Sequence, residues 1–521
     1  MNFDLIKIMA LMEVRLRLRR IGTVVALLAV IAATWKMIME PKTGMSMMVI
    51  NGARPMYNSA ALALGSATIS SMLLGLIGFY LVRGRMAEDI RSGIGGVIAS
   101  TQVGAASFLF GRWLGGVAYL CVISITVMLT MLVRHALTGD GPIELLVYIQ
   151  TYALLQLPLV FFCTSVALLF DCFTPLMGKA GDVLYFILWA AIFITLAETG
   201  RAMNAQGSSV LAIDFWGMGT MMLMMLHHFG TTAVAVGAGP FNIALDMRIL
   251  PSDLWWATPV MYRGVCALMA LLPLLPALLL FHRYSPDKIK SSTSRQRRSP
   301  LALLNSLLRP LSSLARPLFS IATRLPGLSG QVMAELALSL VISPVAILAL
   351  IALPLASLVM PLDGLGLLVI IAVTLWMVLI ADLSTRDYQA DTETLTGVVA
   401  NGIEGRYTRQ FSATALLGYL LTAVIALRWS ITQPVLAIAL VTGVFSLSAL
   451  ATMLGRCTRT SRSFIMLGLF WIFVTVQTPG LAWLDLVGFN GAANWSSIAL
   501  QTLIGMIALA LGVGYNRWQA R

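Results

Sequence analysis

Residues 60–82 read AALALGSATISSMLLGLIGFYLV, and residues 83–91, directly after them, read RGRMAEDIR. The first string holds no charge and exceeds the roughly 20 residues that a helix needs to cross hydrocarbon. Bare peptide groups cannot be left in lipid, so such a run must close its own hydrogen bonds as a helix. The arginine-rich string then marks the return to water. Eleven further apolar runs follow the same logic, at 21–39, 113–133, 150–170, 183–197, 263–281, 337–360, 364–381, 411–427, 433–453, 464–483 and 498–515. The expected fold class is therefore all-α, a polytopic membrane protein of about twelve transmembrane helices with both termini on one side. Composition agrees. The 521 residues are 59% hydrophobic and 11% charged, with a mean hydropathy of +0.88, whereas a soluble domain carries about 25% charged residues. A soluble globular enzyme is excluded.

The charge map gives the orientation. With the N-terminus inside, 27 of the 35 Lys and Arg residues fall in inner segments, while Asp and Glu divide 13 to 9. A bias carried by Lys and Arg is what the positive-inside rule requires. The net charge of +13 then reflects topology and anionic lipid headgroups rather than a nucleic-acid partner. The first apolar run is long and lacks a small-residue cleavage site, so no cleavable signal peptide is expected.

The chain echoes itself. Gly96-Val-Ile-Ala-Ser100 recurs as Gly397-Val-Val-Ala-Asn401, and Met12-Glu13 recurs as Met333-Ala-Glu335, each just before the first span of a half. Shared order and spacing predict two six-span repeats. The division is an amphipathic interfacial N-terminal helix at 1–20, a first half at 21–281, a linker at 282–335 and a second half at 336–521. Within the linker, Arg309, Arg316 and Arg324 fall near one side with leucines between them, and prolines preclude one long helix. Short interfacial helices with snorkelling arginines are expected there.

Chemistry-bearing motifs are scarce. No G-x-x-x-x-G-K-S/T string occurs, nor H-E-x-x-H, G-x-S-x-G or a paired-carboxylate arrangement. No catalytic residue and no cofactor site is expected in this chain. Cys121, Cys163, Cys172, Cys266 and Cys457 are scattered without C-x-x-C spacing. All the acids fall in loops or at span ends, with Asp182 and Glu198 at the ends of the fifth run. Acid-poor span centres weigh against an ion-coupled carrier. The segment Met218, Met221, Met222, Met224, Met225, His227 and His228 offers ligands suited to soft copper; it equally reads as an apolar helix face with methionine as adaptable filler, which is the reading preferred here.

The loops after the second and eighth runs carry a resemblance. A basic amphipathic N-terminal stretch, six spans and a charged loop holding Asp89, then Ala99-Ser100-Thr101, then Phe108-x-x-Gly111-Arg112-x-x-Gly115, together resemble the permease of an ABC-2 type exporter. In that family a short coupling helix ends in a small-Ser/Thr-Pro turn, and a Gly/Lys-x-x-Gly/Ala stretch begins the next span. Here Gln102-Val103 stands where the family often has proline, and the second loop lacks the Gly-Arg pair. The resemblance implies an exporter subunit in a bacterial-type inner membrane, with both termini cytoplasmic. It also implies a separate ATP-binding cassette ATPase, in two copies, that holds the ATP and magnesium. Loops 83–112 and 382–410 would seat short helices in that ATPase, with Glu88, Asp89, Arg91, Arg386, Asp387 and Asp391 making charge-assisted contacts. Short outer helices near the fifth and sixth runs would cap the exit, with Trp255-Trp256 as an interfacial anchor.

Two other classes fit the same outline. One is a twelve-span secondary transporter of the major-facilitator kind, also duplicated and with a long central loop; the loop after the second run lacks its Gly-x-x-x-Asp-Arg pattern. The other is a membrane scaffold or assembly factor.

Overall fold

The computed structural model of the chain describes residues 3–19, 21–38, 44–201, 208–281, 306–390, 392–398, 402–403, 405–478 and 480–520. It divides into two compact units, Met1–Ser294 and Arg295–Arg521. Among the described residues, nine helices are long and apolar enough to cross a membrane, or ten if one sharply bent pair counts as a single span. The protein is thus a helical, multi-pass membrane protein.

In the first unit, α1 (Phe3–Leu18) and α2 (Ile21–Met37) lie along α6 (Ala105–Thr138), which at 34 residues is the longest helix described. They run in the same direction as α6. Met9 meets Gly111, Glu13 meets Gly115, and the Arg17 guanidinium sits over the Tyr119 ring. Further on, Arg134 of α6 lies over Trp35 of α2. The centre of this unit is α3 (Ser59–Val82), packed against α7 (Leu145–Cys172). Asn58 opens α3 by accepting from the backbone N–H of Ala61 at 3.0 Å, satisfying one of the first-turn donors that a helix leaves without an intrahelical partner. The polar side chains of α3 find partners inside the bundle: Ser66 with the Tyr152 hydroxyl at 2.7 Å and Ser70 with the Gln156 amide at 2.6 Å. Polar groups in the membrane interior need such partners.

The end of this unit away from the arginine-rich loop is a small lobe. Strand β1 (Met45–Ile50) pairs antiparallel with β2 (Val234–Pro240), an element that the all-α expectation lacked. Beneath them α9 (Met218–Phe229) buries Met221, Met222, Met224 and Met225. Met221, Met224 and Met225 share a core with Met47, Met48, Tyr57 and Leu254. These three methionines pack in the core of the lobe. His227 stacks on Trp256 at 4.2 Å between ring centroids, and burial together with neighbouring His227 pushes the His228 imidazole below its ordinary value.

Between α7 and the lobe the unit is completed by α8 (Lys179–Arg201), α10 (Ala257–Met269) and α11 (Leu274–Leu280). The run 183–197 is longer than expected, since α8 has 23 residues. The run 263–281 appears as one candidate span, Ala257–Leu280, made of α10 and α11 with a turn before Leu274, where Pro273 stands.

In the second unit, α12 (Arg316–Arg324) is followed by α13 (Gly327–Ile342) and α14 (Val345–Val359). The expected span 337–360 is corrected here: α13 and α14 meet at a 99° bend at Ser343-Pro344, where proline removes a backbone donor. Next come α15 (Leu365–Ile380), two short helices α16 (Arg386–Gln389) and α17 (Glu393–Gly397), then α18 (Arg406–Thr432) and α19 (Pro434–Thr458). The run 464–483 is helical only over α20 (Arg462–Gln477), and α21 (Trp495–Ala520) closes the chain. Between these last two, the buried Asp485 carboxylate accepts backbone N–H groups of Asn490 at 3.3 Å and Ala492 at 3.0 Å. Burial nonetheless raises this carboxyl above its ordinary value.

Candidate functional site

The charged loop of the first unit is not a solvated strand of charges. Gly84 (φ 95°) and Gly93 (φ 75°) adopt left-handed backbone that residues with a side chain rarely take. They turn the chain into two short helices, α4 (Arg85–Arg91) and α5 (Ile94–Ser100). The Gly84 N–H donates to both carboxylate oxygens of Asp171, at 3.1 and 2.8 Å. Arg83 is fully buried. It pairs with Asp182 at the start of α8, lies 3.8 Å from Asp171 at the end of α7, and donates to the Leu176 and Gly178 carbonyls. One guanidinium thus joins the ends of three helices.

A second knot sits beside it. Arg17 of α1 donates to the carbonyls of Leu81 at 2.7 Å and Val82 at 2.9 Å, capping the last turn of α3, where free carbonyls and the negative end of the helix dipole favour a cation. The same guanidinium pairs with Glu13 at 2.7 Å. Arg85 reaches Glu13 at 3.3 Å and Glu88 at 2.7 Å. Burial pushes the Glu13 carboxyl up, but Arg17, Arg112 and Arg85 outweigh it and hold the group below its ordinary value. Close approach is possible because α6 carries glycine where α1 crosses it. A methyl added at Gly115 would lie 2.6 Å from Glu13 Cβ and 3.2 Å from the Ala10 carbonyl. The sequence signal for this approach is the four-residue spacing of Gly111 and Gly115.

The second unit repeats several of these features. Glu335 of α13 faces Arg409 of α18 at 3.7 Å. Arg406 donates to the Glu393 carboxylate at 3.1 Å and to the Thr396 hydroxyl at 2.8 Å, and approaches Asp387 at 3.5 Å. Arg456 of α19 also donates to Glu393 at 2.9 Å and to Gln519 of α21 at 3.0 Å.

The residues expected at the coupling surface divide accordingly. Asp89 is 3% exposed and paired with Arg112 at the start of α6. Glu88 is partly open and Arg91 is exposed. Arg386 donates to Ser339 Oγ at 2.8 Å and pairs with Asp382 at 3.4 Å; Asp387 faces Arg406. Asp391 lies outside the described residues. What stands in the open beside them is apolar: Ile94 (52% exposed) and Val97 (66%) on α5, with Leu395 on α17 and Val398 (87%) just after it.

Comparison with protein-family models, curated proteins and solved structures finds no match to this chain. The site is therefore read from its own chemistry. It holds arginine–carboxylate pairs, helix caps and exposed apolar side chains, and among the described residues no group of three or more His, Cys, Asp or Glu side chains converges as a metal site.

Proposed function

We propose that the chain is the membrane-spanning subunit of an ATP-driven exporter, built as two six-span halves and worked from the cytosol by a separate ATP-binding cassette ATPase. The observation that carries this reading is the arrangement at the arginine-rich end of each unit. A glutamate, Glu13 of α1 or Glu335 of α13, is paired with Arg85 or Arg409. Near it a short helix and its end hold apolar side chains away from the protein: Ile94 and Val97 on α5 in one unit, Leu395 on α17 and Val398 just after it in the other. Exposed apolar groups on short helices within charged loops suit insertion into a cleft of another protein.

The ion pairs supply the mechanical link in this reading. A push on α4 and α5 passes through Arg83 to α7 and α8, and through Asp89–Arg112 to α6. ATP-driven closure of two ATPase copies would tilt these helices together and open a path outward. In this scheme Glu88, Arg91, Arg386 and Asp387 contribute contacts at the docking rim, while buried Asp89 positions α4. The chain has no phosphate-binding loop of its own, in keeping with a borrowed motor.

The test is ATP hydrolysis by the tagged protein purified from its own membranes in mild detergent. The proposal expects hydrolysis that co-elutes with the chain and is abolished by orthovanadate. A pure, monodisperse chain without hydrolysis, moving solute in liposomes on an ion gradient alone, overturns it in favour of a secondary transporter.

A further inference from the structure

Within the linker read at 282–335 lies a short helix with two unlike faces. A 3₁₀ turn, Arg309–Ala315, leads into α12 (Arg316–Arg324), of which no residue is buried. At about 100° per residue, Arg316, Ser320, Thr323 and Arg324 fall on one side of α12, and Leu318, Phe319, Ile321 and Ala322 fall on the other. Phe319 and Ile321 are 37% and 42% exposed. No Asp or Glu occurs between Asp287 and Glu335, a stretch that carries eight Lys and Arg, with Arg309, Arg316 and Arg324 among them. A helix this short is marginal in water by itself, so α12 needs a surface that accepts both faces.

The fold places that surface. Helix α14 lies along α18 and ends where Arg428 donates to the Ser357 and Met360 carbonyls. Glu335 of α13 meets α18 at Arg409, nineteen residues before Arg428 and about 28 Å away at 1.5 Å per residue. That distance is close to the thickness of a hydrocarbon core, so α14 crosses it. The 99° bend at Ser343-Pro344 then lays α13 near the membrane plane. Helix α12 packs on α13, since a methyl added at Gly330 would lie 2.7 Å from the Ala322 carbonyl. It therefore sits at the bilayer surface, at the end of α18 where Arg409 stands. A soluble polyanion would take the arginines and leave Phe319 and Ile321 in water; a neutral apolar partner would take those two and leave the arginines without counter-charge. An anionic lipid surface satisfies both faces.

We infer that α12 docks on anionic phospholipid headgroups, with the Arg309, Arg316 and Arg324 guanidiniums at the phosphates and Leu318, Phe319 and Ile321 among the acyl chains. Sequence alone places short helices at the interface; the structure adds the headgroup charge and what the docking holds. Through α13 it keeps Glu335 against Arg409 and Ser339 against Arg386, which donates to the Ser339 hydroxyl at 2.8 Å, and so it braces the second charged loop. In the exporter reading that loop is a docking site, and headgroup charge sets how firmly it is held; the lipid contact itself does not depend on that reading.

The experiment is hydrogen exchange, read by mass spectrometry, on the full chain in nanodiscs of phosphatidylcholine alone or mixed with phosphatidylglycerol. Amides of α12 should exchange about fivefold slower with phosphatidylglycerol present, and those of α16 and α17 should slow with them. Arg309→Gln, Arg316→Gln and Arg324→Gln combined, all at exposed positions, should abolish the difference between the two membranes. Phe319→Ser with Ile321→Ser should speed exchange of α12 in both. Unchanged exchange of α18 and α19 verifies that each variant folds. Equal exchange of α12 in the two membranes, or a difference that survives the arginine replacements, overturns the headgroup assignment. Slowing reproduced by soluble polyphosphate on phosphatidylcholine nanodiscs overturns the membrane as the partner. A response of α12 without one in α16 and α17 overturns the brace on the second loop.

Discussion

Arg85, at the start of the short helix α4, places its Nε 3.3 Å from Glu13 Oε1 on α1. The contact ties the charged loop to the first helix of the unit, across about seventy residues of sequence. Glu13 simultaneously holds Arg17, whose guanidinium closes the last turn of α3. Removing the carboxylate leaves the buried Arg17 without its counter-charge, a loss of about 3–5 kcal/mol for a fully buried pair, while Arg85 keeps Glu88. Glu13→Ala should therefore lower the thermal midpoint of the detergent-solubilised protein clearly, measured by tryptophan fluorescence.

The same carboxylate gives a pH dependence. Its folded-state pKa lies below the ordinary 4.5 because three arginines outweigh burial. A depressed carboxyl stabilises the fold above its unfolded value and loses that contribution as pH falls through the folded one. The stability gap between the unaltered chain and Glu13→Gln should be constant above about pH 5 and shrink below about pH 4.5. A gap that widens on acidification would refute the assignment.

Asp89 and Arg112 form a pair that fixes α4 on α6. In a double-mutant cycle, Asp89→Ala and Arg112→Ala should each destabilise, and the double variant should lose less than their sum, with a coupling of about 1–3 kcal/mol. Additive losses would show that the two side chains do not act together.

Gly115 tests the packing of α1. A side chain there meets Glu13 Cβ and the Ala10 carbonyl, so Gly115→Val must push the helices apart, at about 1–3 kcal/mol for overpacking. Gly96→Ala on α5, where an added methyl meets nothing within 4 Å, is the matched control and should be nearly silent. Thermal midpoints of the two variants in the same detergent decide it.

Much of this architecture is legible in the sequence. The uncharged string 60–82 appears as α3, Ser59–Val82, because length and hydropathy suffice to define a span. Hydropathy averages over proline, however, and so 337–360 read as one straight helix although Pro344 breaks it. The β1–β2 ribbon joins residues almost two hundred positions apart, and neither strand carries a local signal strong enough to predict that pairing. At the candidate site the sequence located the loops but assigned their charges to the surface. Arg83 and Asp89 are buried because distant Asp182 and Arg112 neutralise them; only tertiary contact reveals that. Ile94 and Val97 stand open on α5, and no charge or periodic pattern in so short a helix marks them as exposed.

The proposal depends on the two short helices gripping an ATPase. The most direct measurement is the amount of nucleotide-binding subunit that co-purifies with the tagged chain in mild detergent, compared between the unaltered protein and the Val97→Asp/Val398→Asp double variant. Both positions are exposed, so folding should survive. The account predicts about two ATPase copies per chain in the first preparation and at least a tenfold loss in the second, with equal membrane insertion. A chain that brings no nucleotide-binding subunit, or a double variant that retains it in full, contradicts the account.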